Sequence, residues 1–218
     1  MGIDLPRGRG GEARCDPEPM IQHRVLSPRE YRRMPWKNGG GLTTEIASYP
    51  PRAALDAFDW RVSMADVARD GPFSKFTGID RTIVLMAGAG MRLAGAGGVV
   101  ELRAPLEPFA FRGEDPIECT LVDGAVRDFN LMLRRGRARG GVAVFQATGA
   151  RIAPAQFRVC YAATGTCECL VSGHPPIVVA PDHALLLDDP SPVPAGTLAV
   201  NPLTADTVAV VVSIDLVA

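Results

Sequence analysis

Long apolar runs are missing from this chain. Its 218 residues contain no stretch of roughly 18 uninterrupted apolar residues, the length that predicts a membrane-spanning helix. The first residues carry charge and glycine but not the apolar segment of a secretory signal. We therefore expect a cytoplasmic protein with no membrane partner.

An excess of positive charge is missing as well. Lys and Arg number 23 against 24 Asp and Glu, so the net charge is -1. Dedicated nucleic-acid binders are usually strongly basic, so we expect no nucleic-acid partner. The one arginine-rich segment, 134–139, lies in a glycine-rich connector without aromatic residues and is interpreted as a solvated loop.

Histidine and the common catalytic signatures are scarce. The 3 histidines, His23, His174 and His183, include no His-x-His pair. The chain also lacks a Gly-x-Ser-x-Gly elbow, a Walker loop, a dinucleotide fingerprint and a zincin motif. We therefore predict no metal site and no cofactor, and we assign no catalytic residue.

The cysteines do not form a disulfide pattern. They are 5 in number and irregularly spaced: Cys15, Cys119, Cys160, Cys167 and Cys169. Without a signal segment, reduced thiols are expected. Cys167 and Cys169 share one face of a predicted strand, which invites a metal interpretation, but a second pair is missing. We interpret them as core cysteines.

What the chain does contain is a succession of short apolar segments separated by Gly, Pro, Asp and Asn turns. Such segments, at about 8–12-residue spacing, predict an all-β sandwich or barrel. Asp123-Gly124 predicts a two-residue hairpin. Ser27 followed by Pro28 and Glu30 predicts a helix of one or two turns. The predicted strands are 42–48, 58–65, 81–87, 90–94, 98–103, 107–112, 117–122, 126–133, 142–147, 157–163, 167–171, 176–179, 184–187, 197–200 and 207–216.

A weak internal repeat divides the chain. Residues 81–112 and 157–187 both run strand, tight turn, strand, Pro-containing link, strand. The segment 134–141 makes a natural connector between two such units. We predict a flexible tail at 1–19, an N-terminal unit at 20–133 that carries the candidate site, and a C-terminal unit at 134–218.

The glycine run Gly39-Gly40-Gly41 has two interpretations. Three consecutive glycines weaken helix and strand alike and permit φ > 0 or close backbone approach. The segment is either a turn before an edge strand, with Trp36 as a core plug, or an anion-binding nest of backbone amides. Lys37 adds weight to the second interpretation, since Lys75 is the only other lysine.

Three predicted strands each carry one apolar face and one face of hydrogen-bonding groups. Side chains at i and i+2 share a face of a strand. The polar faces are either a pocket for a small polar ligand or an ordinary solvated sheet face. Their members are Thr43 with Glu45, Arg61 with Ser63, and Asp128 with Asn130. Asp80 and Arg81 are interpreted as a buried ion pair that anchors the loop 71–80.

Several segments together resemble the HutD/Ves family of bacterial proteins. They lie in the same order between about residues 31 and 135, whereas 140–218 resemble the family only in strand pattern and 1–19 do not resemble it. These segments are Met34–Ile46, Phe58–Ser63, Gly71–Phe76, Gly78–Arg81, Pro108–Phe111 and Asp128–Met132.

The resemblance implies a fold and a site. The family's fold is two cupin-like β-barrels in one chain, a bicupin. Many cupins hold a metal with His-x-His and further ligands, which this chain does not supply. The ligand-binding residues implied are Trp36, Lys37, Asn38, Gly39, Gly40, Thr43, Glu45, Arg61, Ser63, Asp128 and Asn130.

The function implied is small-molecule binding linked to histidine utilisation, regulatory rather than enzymatic. The expected ligand is a small anionic metabolite such as N-formylglutamate, with Arg61 and Lys37 on carboxylates and Asn38 or Asn130 on the formamide. Arg61→Ala is predicted to abolish binding and leave the fold intact. Two alternatives remain: a metal-independent isomerase or hydrolase with Glu45 or Asp128 as base, and a protein-interaction module. A homodimer is also expected.

Overall fold

The described part of the chain consists of β-strands and the turns that join them. The structure, a computed structural model, describes residues 21–36, 39–95, 97–103, 106–191 and 193–217. The described residues form 19 strands and no helix, which confirms the all-β prediction. The predicted tail at 1–19 lies outside the described residues.

Eleven strands precede the turn at residues 135–137 and eight follow it. The first eleven are β1 Gln22–Leu26, β2 Arg32–Pro35, β3 Gly41–Tyr49, β4 Trp60–Val67, β5 Gly71–Pro72, β6 Ile79–Ala87, β7 Met91–Gly95, β8 Gly98–Leu102, β9 Pro108–Arg112, β10 Glu118–Leu121 and β11 Val126–Arg134. The others are β12 Ala138–Gln146, β13 Ala150–Ile152, β14 Phe157–Thr164, β15 Cys167–Val171, β16 Ile177–Val179, β17 Ala184–Asp188, β18 Leu198–Pro202 and β19 Val208–Leu216. The predicted connector 134–141, with its solvated loop at 134–139, is thus shorter than expected, because β11 ends at Arg134 and β12 begins at Ala138.

The strands form four antiparallel sheets. The six-stranded sheet has the order β2-β3-β4-β11-β6-β9, and the first four-stranded sheet β5-β10-β7-β8. The five-stranded sheet has the order β1-β17-β14-β19-β12, and the second four-stranded sheet β13-β18-β15-β16. Among the described residues, the first and last strands of each sheet do not pair with each other, so these sheets do not close into barrels.

The strand pairing repeats between the two halves. In the first half β6 pairs with β9 while β7 pairs with β8, and in the second half β14 pairs with β17 while β15 pairs with β16. These are the segments 81–112 and 157–187 in which the sequence shows its weak repeat. In each half, the first and last of these four strands pair within a large sheet, and the two middle strands lie in a small sheet.

Apolar cores fill the spaces between the sheets. One core joins the six-stranded and five-stranded sheets, with Val62 and Phe129 from one and Val159 and Val212 from the other. A second core lies between the six-stranded sheet and its small partner. A third lies between the five-stranded sheet and the second small sheet. The sheets therefore stack as four layers, with the large sheets in the middle.

Strand β1 crosses from the first half to the second. It pairs over its whole length with β17, from Gln22 opposite Asp188 to Leu26 opposite Ala184. The first described strand thus extends the sheet of the second half. The division at residues 133 and 134 stays a prediction.

Two local predictions were wrong. Ser27 and Glu30 do form the predicted capping bonds, with the Ser27 N–H donating to Glu30 Oε2 at 2.8 Å, but they close a single turn. No helix continues from this turn, because residues 32–35 pair with 42–45 as strand β2. Asp123-Gly124 is not a hairpin either: β10 pairs with β5 and β7, whereas β11 pairs with β4 and β6.

Within the described ranges, no helix has the length and apolar character needed to cross a membrane.

Candidate functional site

The polar faces predicted from strand alternation lie on one side of the six-stranded sheet. On β4, Trp60 and Val62 enter the core between the large sheets, and Arg61 and Ser63 point the other way. On β11, Phe129 lies in the same core and Asp128 lies opposite. The alternation predicted for these strands is confirmed.

These side chains are buried, and so they do not form a solvated sheet face. Arg61 is 4% exposed and Asp128 2% exposed. Glu45, Ser63 and Asn130 are buried as well. Buried polar and charged groups cost free energy unless they have partners, so the arrangement needs a specific set of contacts.

Strand register sets the polar residues in three rows across the sheet. The backbone pairing that fixes them runs through β3, β4, β11 and β6. The first row is Arg61, Met132 and Arg81; the second is Glu45, Ser63 and Asn130; the third is Thr43, Ala65 and Asp128.

Arg61 is held by a carboxylate. Its Nε donates to Glu45 Oε2 at 2.6 Å, and both side chains are 5% exposed. Its Nη1 lies 3.8 Å from the sulfur of Met132. Glu45 therefore orients the guanidinium, and Nη2 is buried beside the cavity without a hydrogen-bond partner among the described residues.

Arg81 is held by aromatic rings instead. Its guanidinium carbon lies 4.8 Å from the Phe111 ring centre, 5.3 Å from that of Phe73 and 5.6 Å from that of Phe76. Such cation–π contacts stabilise a cation that has lost its water. Its Nη1 donates to the Ser74 carbonyl at 3.4 Å, while Nε has no partner in the described part of the chain.

Burial shifts the ionisation of both charged groups at the cavity centre. Desolvation lowers the pKa of Arg81 to about 10, which Asp128 opposes and the neighbouring charge of Arg61 reinforces. Desolvation raises the pKa of Asp128 to about 6, against the effects of Arg81 and of the Asn130 hydrogen bond. Asn130 Nδ2 donates to Asp128 Oδ1 at 3.2 Å. Its own Oδ1 lacks a partner in the described ranges.

These groups line one cavity of about 510 Å³. Its inner wall is the polar side of the six-stranded sheet, and its other walls are largely apolar and aromatic. The lining residues are Met34, Pro35, Trp36, Thr43, Leu55, Arg61, Ser63, Ala65, Val67, Pro72, Phe73, Ser74, Phe76, Arg81, Asp128, Asn130 and Met132. A concave site with few convergent polar groups is the usual form of a small-molecule site.

The glycine run closes the hairpin between β2 and β3 beside this cavity. Trp36 N–H donates to the Gly41 carbonyl at 2.9 Å, and Gly39 N–H to the Trp36 carbonyl at 3.0 Å. Trp36 Nε1 donates to Thr43 Oγ1 at 2.8 Å, which fixes the indole at the cavity wall. Gly39 and Gly40 are not among the residues that line the cavity, and their role in ligand binding stays a prediction.

The cavity gathers six of the predicted site residues. These are Trp36, Thr43, Arg61, Ser63, Asp128 and Asn130. Glu45 is not among the lining residues, but its carboxylate accepts a hydrogen bond from Arg61. Lys37 and Asn38 lie outside the described residues.

With this geometry in hand, the chain can be compared with known proteins. Residues 28–204 match the family model HutD. The chain belongs to the HutD/Ves family. An uncharacterized 21.2 kDa protein in the hutC 3' region of Pseudomonas putida is 40% identical over 154 residues, covering 71% of this chain and 80% of that protein. Protein Ves of Cronobacter sakazakii is 39% identical over 55% of this chain and 66% of that protein.

Solved structures share the fold. HutD from Pseudomonas fluorescens SBW25, in a formate condition, is 30% identical with a TM-score of 0.76, covering 90% of this chain and 100% of that one. The oxalate decarboxylase of Lactobacillus farciminis, in a formate complex, is 7% identical with a TM-score of 0.60, covering 87% of this chain and 85% of that one. The second likeness is one of fold alone and marks this HutD/Ves chain as cupin-like.

The prediction for Asp80 and Arg81 was correct in one part and wrong in the other. Arg81 does contact the loop 71–80, through the Ser74 carbonyl and the rings of Phe73 and Phe76. It does not pair with Asp80, which is bound by Arg135 at 2.7 Å on the surface. Adjacent residues of a strand point to opposite faces, so Asp80 and Arg81 cannot meet within β6. The same alternation, applied to β6, places Arg81 with Ile83 and Leu85 on the buried side. The position of Arg81 on the buried side can therefore be predicted from the alternation of residues along β6.

Proposed function

We propose that this protein binds a small anionic metabolite in the cavity between Arg61 and Arg81. The observation that carries the proposal is a pair of buried guanidinium groups on one cavity wall, each with a nitrogen that has no partner among the described residues. A ligand carboxylate supplies both the charge and the acceptor atoms that these nitrogens lack.

The balance of charge favours an anion. Arg61 is compensated by Glu45, whereas Arg81 has aromatic rings around it and a backbone carbonyl. The remaining carboxyl, Asp128, has a pKa raised to about 6 by burial. Below about pH 6, where most of Asp128 is protonated, the cavity therefore carries one uncompensated positive charge; above that pH, ionised Asp128 offsets the charge of Arg81. In a buried site this charge interacts strongly with an anion, because water does not screen it.

The remaining lining suits a small metabolite with a second polar group. Asn130 presents an unpaired Oδ1, which accepts a hydrogen bond from an N–H or O–H. The apolar walls, with Trp36, Phe73 and Phe76, suit the carbon skeleton of the ligand. An acid such as N-formylglutamate has these parts: carboxylates, an amide and a short aliphatic chain.

The family supplies the biological setting. The Pseudomonas putida relative is named for its place beside hutC, and the P. fluorescens structure is named HutD. We extend this setting to the present chain as a link to histidine utilisation in which the bound acid has a regulatory role. We further propose that the repeated strand pairing corresponds to two cupin-like units.

A second candidate is a metal-independent isomerase or hydrolase. Asp128 favours it, since a buried carboxyl with a pKa of about 6 ionises near neutral pH and lines the cavity. Glu45 is a poorer base because its carboxylate is bound to Arg61. Conversion of the bound acid by the wild type but not by Asp128→Asn would select this candidate over binding alone.

The choice of variant decides how sharp the binding test is. Arg61→Ala leaves Glu45 buried without its cation, so a loss of binding cannot be separated from a loss of stability. Arg81→Met is sharper, because Met keeps the apolar stem among the rings and breaks no ion pair at hydrogen-bond distance. Asp128 loses only the longer-range electrostatic effect of Arg81. Arg92 on β7 is exposed, and Arg92→Met is the matched control.

Calorimetric titration with N-formylglutamate tests the proposal. We expect binding by the wild type and by Arg92→Met, and a loss of about 10- to 100-fold in affinity in Arg81→Met, the value of a charged hydrogen bond. The diamide of the same ligand, which lacks the charge, is expected not to bind. Equal affinity in Arg81→Met and the wild type would contradict the proposal.

A further inference from the structure

Three cysteines meet in the core of the second half. Cys160 comes from β14, and Cys167 and Cys169 come from β15. Their Sγ atoms all lie within 4.8 Å of one another. The two strands belong to different sheets, the five-stranded and the second four-stranded sheet, so the sulfurs face each other across the core.

The surroundings of this cluster are apolar. All three cysteines are 0% exposed and belong to a core whose other members include Leu185, Val200 and Val211. The sequence places only Cys167 and Cys169 on a common face. The third sulfur comes from the fold, because β14 and β15 lie in facing sheets.

The spacing suits a single metal ion. A metal–sulfur distance of about 2.3 Å places three sulfurs of a trigonal site about 4 Å apart. The observed limit of 4.8 Å is close enough for small side-chain rotations to bring the three atoms into a coordination sphere. The strands fix all three positions, so the ligands are largely arranged before an ion arrives.

The number and kind of ligands select the ion. Structural zinc sites take four ligands, and within the described residues this group offers three, with no further His, Cys, Asp or Glu. Thiolates are soft ligands that select soft ions such as Cu(I). We propose that Cys160, Cys167 and Cys169 form a three-sulfur site that binds one Cu(I) ion per chain, separate from the cavity of the six-stranded sheet.

Refolding in the presence of copper tests this site, since buried sulfurs are reached only when the core opens. The full chain is refolded anaerobically, with reductant and one equivalent of Cu(I), and is then challenged with the Cu(I) chelator bathocuproine disulfonate. All samples carry Cys15→Ala, including the reference protein called wild type in this test, so the one cysteine outside the described residues does not contribute. We expect one retained Cu(I) per chain and a higher melting temperature than that of the copper-free protein.

Single variants assign the ligands. We expect the chelator to remove the copper from each of three variants, Cys160→Ala, Cys167→Ala and Cys169→Ala. Cys119→Ala is the matched control: this cysteine is also buried, but in the first half, with its sulfur 3.9 Å from that of Met91. It is expected to retain the copper as the wild type does.

X-ray absorption on the wild type gives a measurement that does not depend on the folding of variants. Three sulfur neighbours around copper are expected. The proposal is overturned if the refolded wild type yields all its copper to the chelator, if copper has fewer than three sulfur neighbours, or if Zn(II) is retained and Cu(I) is not.

Discussion

Arg61 and Arg81 occupy the same row of the six-stranded sheet but are stabilised in different ways. Arg61 depends on one buried carboxylate, Glu45, at 2.6 Å. Arg81 depends on three phenylalanine rings and one backbone carbonyl. The first arrangement couples two residues tightly, because either charge alone in a buried site is costly.

Removal of Arg61 alone is therefore expected to destabilise the fold strongly. Arg61→Met leaves Glu45 buried and unpaired, and we expect the free energy of unfolding to fall by about 3–5 kcal/mol. The double variant with Glu45→Gln removes both charges and is expected to recover most of this loss. Urea denaturation of the wild type, the single variants and the double variant measures the coupling. Additive effects of the two substitutions would contradict the account.

Asp128 is expected to make stability depend on pH. Its pKa is about 6 in the folded protein and near 4 in an unfolded chain, so between these values the folded state binds more protons. The stabilising contribution is complete below about pH 4 and is lost as the pH rises through 6.

Asp128→Asn removes the free-energy cost of ionising the buried carboxyl at high pH and keeps the hydrogen bond from Asn130. We expect the variant to be more stable than the wild type at pH 7.5 by about 2 kcal/mol, with the difference shrinking toward pH 4. Urea denaturation of both proteins across this pH range measures it. A difference that does not change with pH would show that Asp128 does not titrate in this window.

At the scale of elements, the β2–β3 hairpin holds Trp36 against the cavity. Its glycines have distinct roles. Gly39 has φ +68°, which disfavours other residues. A Cβ on Gly41 would lie 2.4 Å from the Asp66 carbonyl oxygen and 3.0 Å from the Trp36 ring. Close approach of the backbone to its neighbours, rather than anion binding, therefore explains the glycine at position 41.

Gly41→Ala is accordingly expected to displace the hairpin. The added methyl group meets backbone that cannot move aside, so we expect a lower melting temperature and weaker ligand binding through the displaced Trp36. Gly39→Ala is expected to cost only about 1 kcal/mol, as left-handed strain does. Gly97→Ala, where the methyl group meets open space, is the control. Thermal unfolding of all three ranks them, and a Gly41→Ala variant as stable as Gly97→Ala would contradict this role.

At the scale of the whole molecule, the two halves share one core. Trp60 of the first half lies 5.2 Å from Phe157 of the second, ring centre to ring centre, and Tyr49 lies 5.0 Å from the same ring. The strand β1 adds a further link, since it pairs with β17. Each half therefore needs the other half to bury the apolar face of its large sheet.

Neither half is expected to fold alone. Fragments 20–133 and 134–218 each expose an apolar sheet face, so we expect them to bind a hydrophobic dye and to aggregate. The full chain is expected to unfold in one cooperative transition. Urea denaturation and dye fluorescence test both statements, and a fragment with a cooperative transition of its own would contradict them.

Local alternation in the sequence predicts which side chains share the polar face of the site, but not that this face is buried. The polar faces at Arg61, Ser63, Asp128 and Asn130 follow from a period of two, because strand geometry requires it. The burial of those faces depends on which sheet covers them, which is a long-range property. The wrong hairpin at Asp123-Gly124 has the same origin, since a local turn signal does not show that the chain changes sheets there. The third cysteine, Cys160, joins its partners only through such pairing.

A crystal structure of the protein with N-formylglutamate tests the central claim most directly. The account predicts that a ligand carboxylate lies in the cavity within about 3 Å of Arg61 Nη2 or Arg81 Nε, in reach of a charged hydrogen bond. A ligand bound elsewhere, with both nitrogens still unpaired, would contradict it.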